Sequence, residues 1–199
     1  MRNKGVEKEE TRKRVIDAVG RGFRKHGYSG VGVDGLAKAA GVTSGAFYAH
    51  LGSKAKAFHI AIATGLDEVI EGVPKFQQDH GDNWVNAFAD YYLSTTHRED
   101  LECGCAMATL TPEAARAEAE VQAEFEKKMT TIVNLIATGL KGGSEDSRKS
   151  RAWAMLGTLI GGINMARAMK TAAASNEVAN AIKSAAIAAA GPTCCVESP

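Results

Sequence analysis

Proline stands at only four of the 199 positions: 74, 112, 192 and 199. A proline removes a backbone donor and its ring clashes with the preceding helical turn. The long stretches without it can therefore run as helices. They are rich in Ala, Leu, Lys and Glu, which lose little on entering a helix, and they hold no continuous β-branched run. The expected fold is all-α, with about nine helices. The chain is 45% hydrophobic and 24% charged, as soluble globular proteins are. Its longest apolar stretch, 152–169, contains Asn164 and Arg167 and reads as a buried helix rather than a membrane span. The start, MRNKGVEKEETRKR, lacks the apolar core of a signal peptide. A cytoplasmic protein without membrane contact is expected, and its four cysteines are expected as thiols.

Periodicity divides the chain. Val15, Ala18, Val19, Gly22, Phe23 and His26 recur at helical spacing, which predicts an amphipathic helix over 7–26 ended by Gly27. A short helix is expected over 33–40, with Leu36, Ala37 and Ala40 facing inward. Thr43 is suited to cap the next, 44–50. Ser53 caps a longer helix running to about residue 72, with Pro74 marking its end. Further helices are expected over 83–97, near 104–110, from a Thr111-Pro112 start to Leu140, and over 147–171 and 177–190. This gives an N-terminal domain over 1–52, a helical body over 53–191, and a disordered tail over 192–199.

Charge is uneven. Residues 1–56 hold 12 Lys/Arg against 5 Asp/Glu, a balance of +7, and the remainder carries −6. A basic head on an acidic body suits contact with a polyanion. The head also holds a specific arrangement, in which Gly41-Val42-Thr43 joins two helices of about seven residues. Gly41 permits the sharp backbone turn, Val42 seals the angle, and Ala37 and Ala40 let the helices approach. This is a helix-turn-helix, whose second helix can enter a major groove. Thr43 and Ser44 place hydroxyls at that helix's N-terminus, and Gly45 leaves room for close approach to DNA. Tyr48, His50 and Lys54 can donate to phosphates, while Phe47 and Leu51 hold the helix to the core.

The stretch over 11–58, and above all FRKHGY followed by LAKAAGVTSGAFYAHLGSK, resembles the DNA-binding domain of TetR-family regulators. The resemblance implies a homodimer on a double-stranded inverted-repeat operator, usually a repressor, released when a small-molecule effector enters the C-terminal domain. Residue by residue it implies phosphate contacts from Thr43, Tyr48, His50 and Lys54, and base contacts from Ser44, Gly45 and Ala49. The chain departs from the family pattern at Val31-Gly32, where a Ser or Thr is usual, and at Leu51, where an aromatic is usual.

In the body, an effector pocket between helices is expected to draw on Phe88, Tyr91, Tyr92, Cys105, Met107, Phe125, Met129, Trp153, Asn164 and Met165. Asn164 and Arg167 stand in an apolar helix and need partners. The segment around Gly104-Cys105 is similar to one in a TetR subgroup. Cys103 and Cys105 read as small core residues, as thiols sensing oxidants or electrophiles, or, with Cys194 and Cys195, as metal ligands of unfamiliar spacing. No metal or cofactor is expected. The stripe of Trp153, Leu156, Gly157, Ile160, Gly161 and Asn164, with the Ala-rich last helix, suits a four-helix contact across a two-fold axis. An enzyme is not expected, since no catalytic order of Ser, His and Asp, no phosphate loop and no metalloprotease motif occurs. A sensor acting through a protein partner is the other alternative, which the basic head disfavours.

Overall fold

The computed structural model describes residues 4–192, with side chains described from Lys8 onward. Cys194, Cys195 and the tail after Pro192 lie outside the described residues. Every regular element among the described residues is helical, in keeping with the expected all-α class. In chain order they are α1 (Lys4–Gly30), α2 (Val33–Ala39), α3 (Ser44–Leu51), α4 (Lys54–His80), a 3₁₀ turn (Gly81–Asn83), α5 (Trp84–Tyr92), α6 (Thr95–Glu99), α7 (Ala106–Ala114), α8 (Ala119–Gly139), α9 (Glu145–Ala168) and α10 (Ala172–Ala190).

Several boundaries differ from the sequence expectation, each for a local reason. Pro74 does not end α4, which continues to His80. The turns around the proline are held by tertiary contacts. Val73 is buried, Phe76 packs edge-on against Phe88 at 5.6 Å, and the Gln77 amide donates to the Leu135 carbonyl at 3.0 Å. Thr111 does not cap a new helix; its hydroxyl donates back to the Met107 carbonyl at 2.5 Å inside α7, and Pro112 lies in that same helix. The segment expected as one helix over 83–97 is two. Leu93 ends α5, and the Ser94 oxygen accepts the His97 N–H at 3.2 Å to cap α6. The caps at Thr43 and Ser53 are as expected, accepting from Ala46 N–H at 3.2 Å and Lys56 N–H at 3.1 Å.

The chain forms two compact units. One contains the residues up to Leu66 with Leu101–Phe125, and the other contains Asp67–Asp100 with the described residues from Glu126 on. In the first, α1 packs on α2, α3 and α7, and α2 packs on α3. Its core includes Val15, Phe23, Leu36, Phe47, Leu51, Phe58, Met107 and Leu110, all buried. In the second, α9 and α10 lie along each other, α5 packs on both, and α6 packs on α9. Met155, Leu156, Leu159, Ile163 and Ala166 of α9 are buried there with Ala179, Ala186 and Ala190 of α10. The alanines cost little side-chain entropy on burial and let the helices approach closely.

Candidate nucleic-acid interface

The interface is built in the first unit from α2, the turn and α3. Leu36 and Ala37 bury one face of α2, and Phe47 and Leu51 bury one face of α3. Gly41 takes φ +66 in the turn, a conformation that side chains with a Cβ avoid, and the Val42 N–H donates to the Ala37 carbonyl at 3.0 Å. The opposite face of α3 is open. Thr43, Gly45, Tyr48 and Ala49 are exposed, Tyr48 at 50%, and Ser44 and His50 are half-buried. A Cβ at Gly45 would meet nothing nearer than the Thr43 hydroxyl at 3.9 Å, so the backbone there is open to close approach.

Three interactions set the face in place. The Arg12 guanidinium of α1 donates to the His50 carbonyl at the C-terminal turn of α3. The Ser44 hydroxyl donates to the Asp34 carboxylate of α2 at 2.6 Å. The Lys54 ammonium, at the start of α4, sits over the Tyr28 ring, 4.6 Å from its centroid. A ring face attracts a cation electrostatically. The Tyr28 ring is itself wedged against Phe58 at 5.1 Å and Phe23 at 6.0 Å. The structure therefore brings Thr43, Ser44, Gly45, Tyr48, Ala49, His50 and Lys54 onto or beside one helix. It adds three residues that sequence reading missed as parts of the site: Arg12, Tyr28 and Asp34. Tyr28 lies within the motif FRKHGY, which is the one available signal; Arg12 and Asp34 carry none.

Residues 15–59 match the family model of bacterial regulatory proteins, tetR family. The head belongs to the TetR family. Solved structures of similar fold cover nearly all of the chain. A TetR-family transcriptional regulator from Cytophaga hutchinsonii has 18% identity and a TM-score of 0.74, over 92% of this chain and 95% of that one. The reduced form of Escherichia coli NemR has 16% identity and a TM-score of 0.70, over 88% and 97%. AibR, in complex with isovaleryl coenzyme A and operator DNA, has 16% identity and a TM-score of 0.62, over 87% and 96%. No curated protein sequence matches the chain.

Beyond the TetR-family head, the ten residues expected around an effector belong to both compact units. Cys105, Met107 and Phe125 fall in the first unit and the other seven in the second. Met107, Phe88, Tyr92 and Met129 are buried, and Cys105 and Phe125 half-buried. Tyr91, Trp153 and Met165 are 56%, 48% and 55% exposed, and Asn164 is exposed too. The Asn164 amide donates to the Ile160 carbonyl one turn back at 2.9 Å. Arg167 binds the C-terminal turn of α6, donating to the His97 and Arg98 carbonyls at 2.8 and 3.2 Å. The neighbouring Arg98 guanidinium joins α6 to the N-terminal part of α10 through Ser175 and Asn176. His97 is buried in this cluster, its Nδ1 2.7 Å from the Tyr92 carbonyl and its ring stacked on Tyr91. Burial is the chief cause that holds the imidazole below its ordinary pKa; Arg167 adds to it, while the Tyr92 carbonyl and Asp100 oppose it. Cys103 is exposed, and Cys105 immediately precedes α7. Among the described residues no helix is long and apolar enough to cross a membrane, and no group of three or more His, Cys, Asp or Glu could hold a metal ion.

Proposed function

We propose that the protein is a cytoplasmic homodimeric repressor. It holds an inverted-repeat operator with residues 1–52, and a small-molecule effector bound in the helical body of residues 53–191 releases it. The observation that carries this reading is the open face of α3, with Thr43, Gly45, Tyr48 and Ala49 exposed at the basic end of the chain. Thr43, Tyr48, His50 and Lys54 supply phosphate contacts that set register, and Ser44, Gly45 and Ala49 meet base edges. Half-sites are spaced by about 34–36 Å, one helical turn of DNA, as two-fold helix-turn-helix dimers require. Similarity in fold to AibR, seen with both isovaleryl coenzyme A and operator DNA, supports an effector-responsive regulator.

The test is selection of duplexes from a random library by the purified protein. An enriched palindrome is the expected result. Absence of any enrichment at low salt and without added ligand would overturn the reading. A second reading rests on Cys105, which stands immediately before α7 and is half-buried. In it the effector is an electrophile or oxidant. Cys105→Ser then abolishes release of DNA by such a reagent, and an intact response rules it out.

A further inference from the structure

Gly27 breaks α1 with φ +71 and ψ 172, so the short turn that follows starts afresh at Tyr28. The Tyr28 N–H donates to the Glu113 carboxylate of α7 at 3.1 Å. The fit is close: a Cβ on Gly27 would meet the same Glu113 Oε1 at 2.7 Å. A second tie lies one turn earlier. The Arg24 guanidinium donates to the Glu102 carbonyl at 2.7 Å, and the Lys25 ammonium pairs with the Glu102 carboxylate. The end of α1 is thus held at two points by the segment 102–113, which is distant in sequence but part of the same compact unit.

Tyr28 carries this restraint to the DNA face. Its ring is the platform under the Lys54 ammonium. Without a fixed Tyr28 backbone the ring keeps its contacts with Phe23 and Phe58 but loses its anchor, and the lysine no longer has a defined seat. Glu113 and Tyr28 also line an open cleft of about 700 Å³ in this unit, and the Glu113 side chain is 23% exposed. The hydrogen bond between them can therefore break without opening the buried core. Arg116 pairs with Glu113 at 4.0 Å, and its own side chain is 70% exposed, so it competes weakly for the carboxylate.

We infer that Glu113 is a positioning residue for DNA binding: it anchors Tyr28, whose ring presents Lys54 to a phosphate. The inference rests on the DNA-binding reading proposed above and names how that face is set from α7.

The experiment measures the affinity of the full chain for a random-sequence duplex across a salt series, because phosphate binding is independent of sequence. Each phosphate left unneutralised lowers the slope of log K against log salt by about 0.9. Glu113→Ala and Lys54→Ala are each expected to weaken binding by about threefold to tenfold and to reduce the slope by the same amount, since both remove one ionic interaction per head. The double variant is expected to be no weaker than Lys54→Ala alone. Glu113→Gln keeps an oxygen for the Tyr28 N–H and is expected to retain the full slope. Tyr28→Leu keeps apolar bulk but no ring, and is expected to weaken binding in the same way, so the result does not depend on the folding of one variant. Effects that multiply in the double variant, or an unchanged slope in Glu113→Ala or Tyr28→Leu, would overturn the inference while leaving the DNA-binding reading intact. A wild-type chain showing no salt-dependent binding would overturn both.

Discussion

At the scale of single residues, burial decides what polar groups do. His97 is one of two buried polar side chains among the described residues, and its neutral form is the one the fold accommodates. Its pKa is lower in the folded chain than the ordinary 6.5, so the unfolded chain takes up the proton first as pH falls. Stability from this group is therefore complete above the ordinary value and is lost as pH drops from there through the lowered folded value. Thermal melts at about pH 7.5 and about pH 5 should show a lower midpoint at the acid end, and His97→Gln should shrink the difference. An equal difference in both proteins would assign the acid sensitivity elsewhere. None of this is legible from composition, because a histidine in a sequence does not say whether its surroundings are dry. Asn164 makes the opposite point. Its apolar neighbours in the chain suggest an interior place, yet it is exposed and bonded within its own helix.

Among elements, the head is the most readable part. Thr43 and Ser53 cap as their residue types suggest, and Phe47 and Leu51 anchor α3 as their spacing suggests. These features are local, so a window of a few residues contains the whole cause. The errors arise where a local signal meets a distant partner. Pro74 reads locally as a helix stop and Thr111-Pro112 as a helix start, yet both prolines lie inside helices. Arg12 shows the same limit, since nothing near it in sequence indicates that it will reach the His50 carbonyl. That bond joins α1 to the end of α3 and should fix the tilt of the recognition helix. Arg12→Ala is expected to lower stability by about 1.5–3 kcal/mol, as removal of a hydrogen bond from a charged donor does. Urea melts give this figure directly, and a change under a few tenths would mean that the bond contributes nothing net.

For the molecule as a whole, periodicity reveals the all-α class but not which distant helices meet. The return of Leu101–Phe125 to the first unit illustrates this. An amphipathic stripe records that a face is buried and carries no address for its partner. The charge asymmetry between head and body, in contrast, is a sum over the chain and is visible at once. The outer side of α9 is where the proposed dimer can be tested. Gly157 and Gly161 open onto space in which an added Cβ meets nothing within 4 Å, next to the exposed Trp153 and Met165. Gly161→Arg should therefore leave the single chain folded. If two copies meet on this side, sedimentation will show the variant as a monomer and the parent as a dimer. A variant that sediments as the parent does would exclude this face from the dimer.

The bond between Ser44 and Asp34 bears on the alphabet that the head can read. A serine hydroxyl has one hydrogen, and here it is committed to a carboxylate. What remains facing outward is a pair of oxygen lone pairs. Such a group welcomes the amino hydrogens of cytosine or adenine and is repelled by the two acceptors on the major-groove edge of guanine. If Ser44 meets a base edge in each half of an operator, as proposed, the closed bond biases that position towards C or A on the strand facing it, and a small helix with few long side chains still carries a letter of sequence.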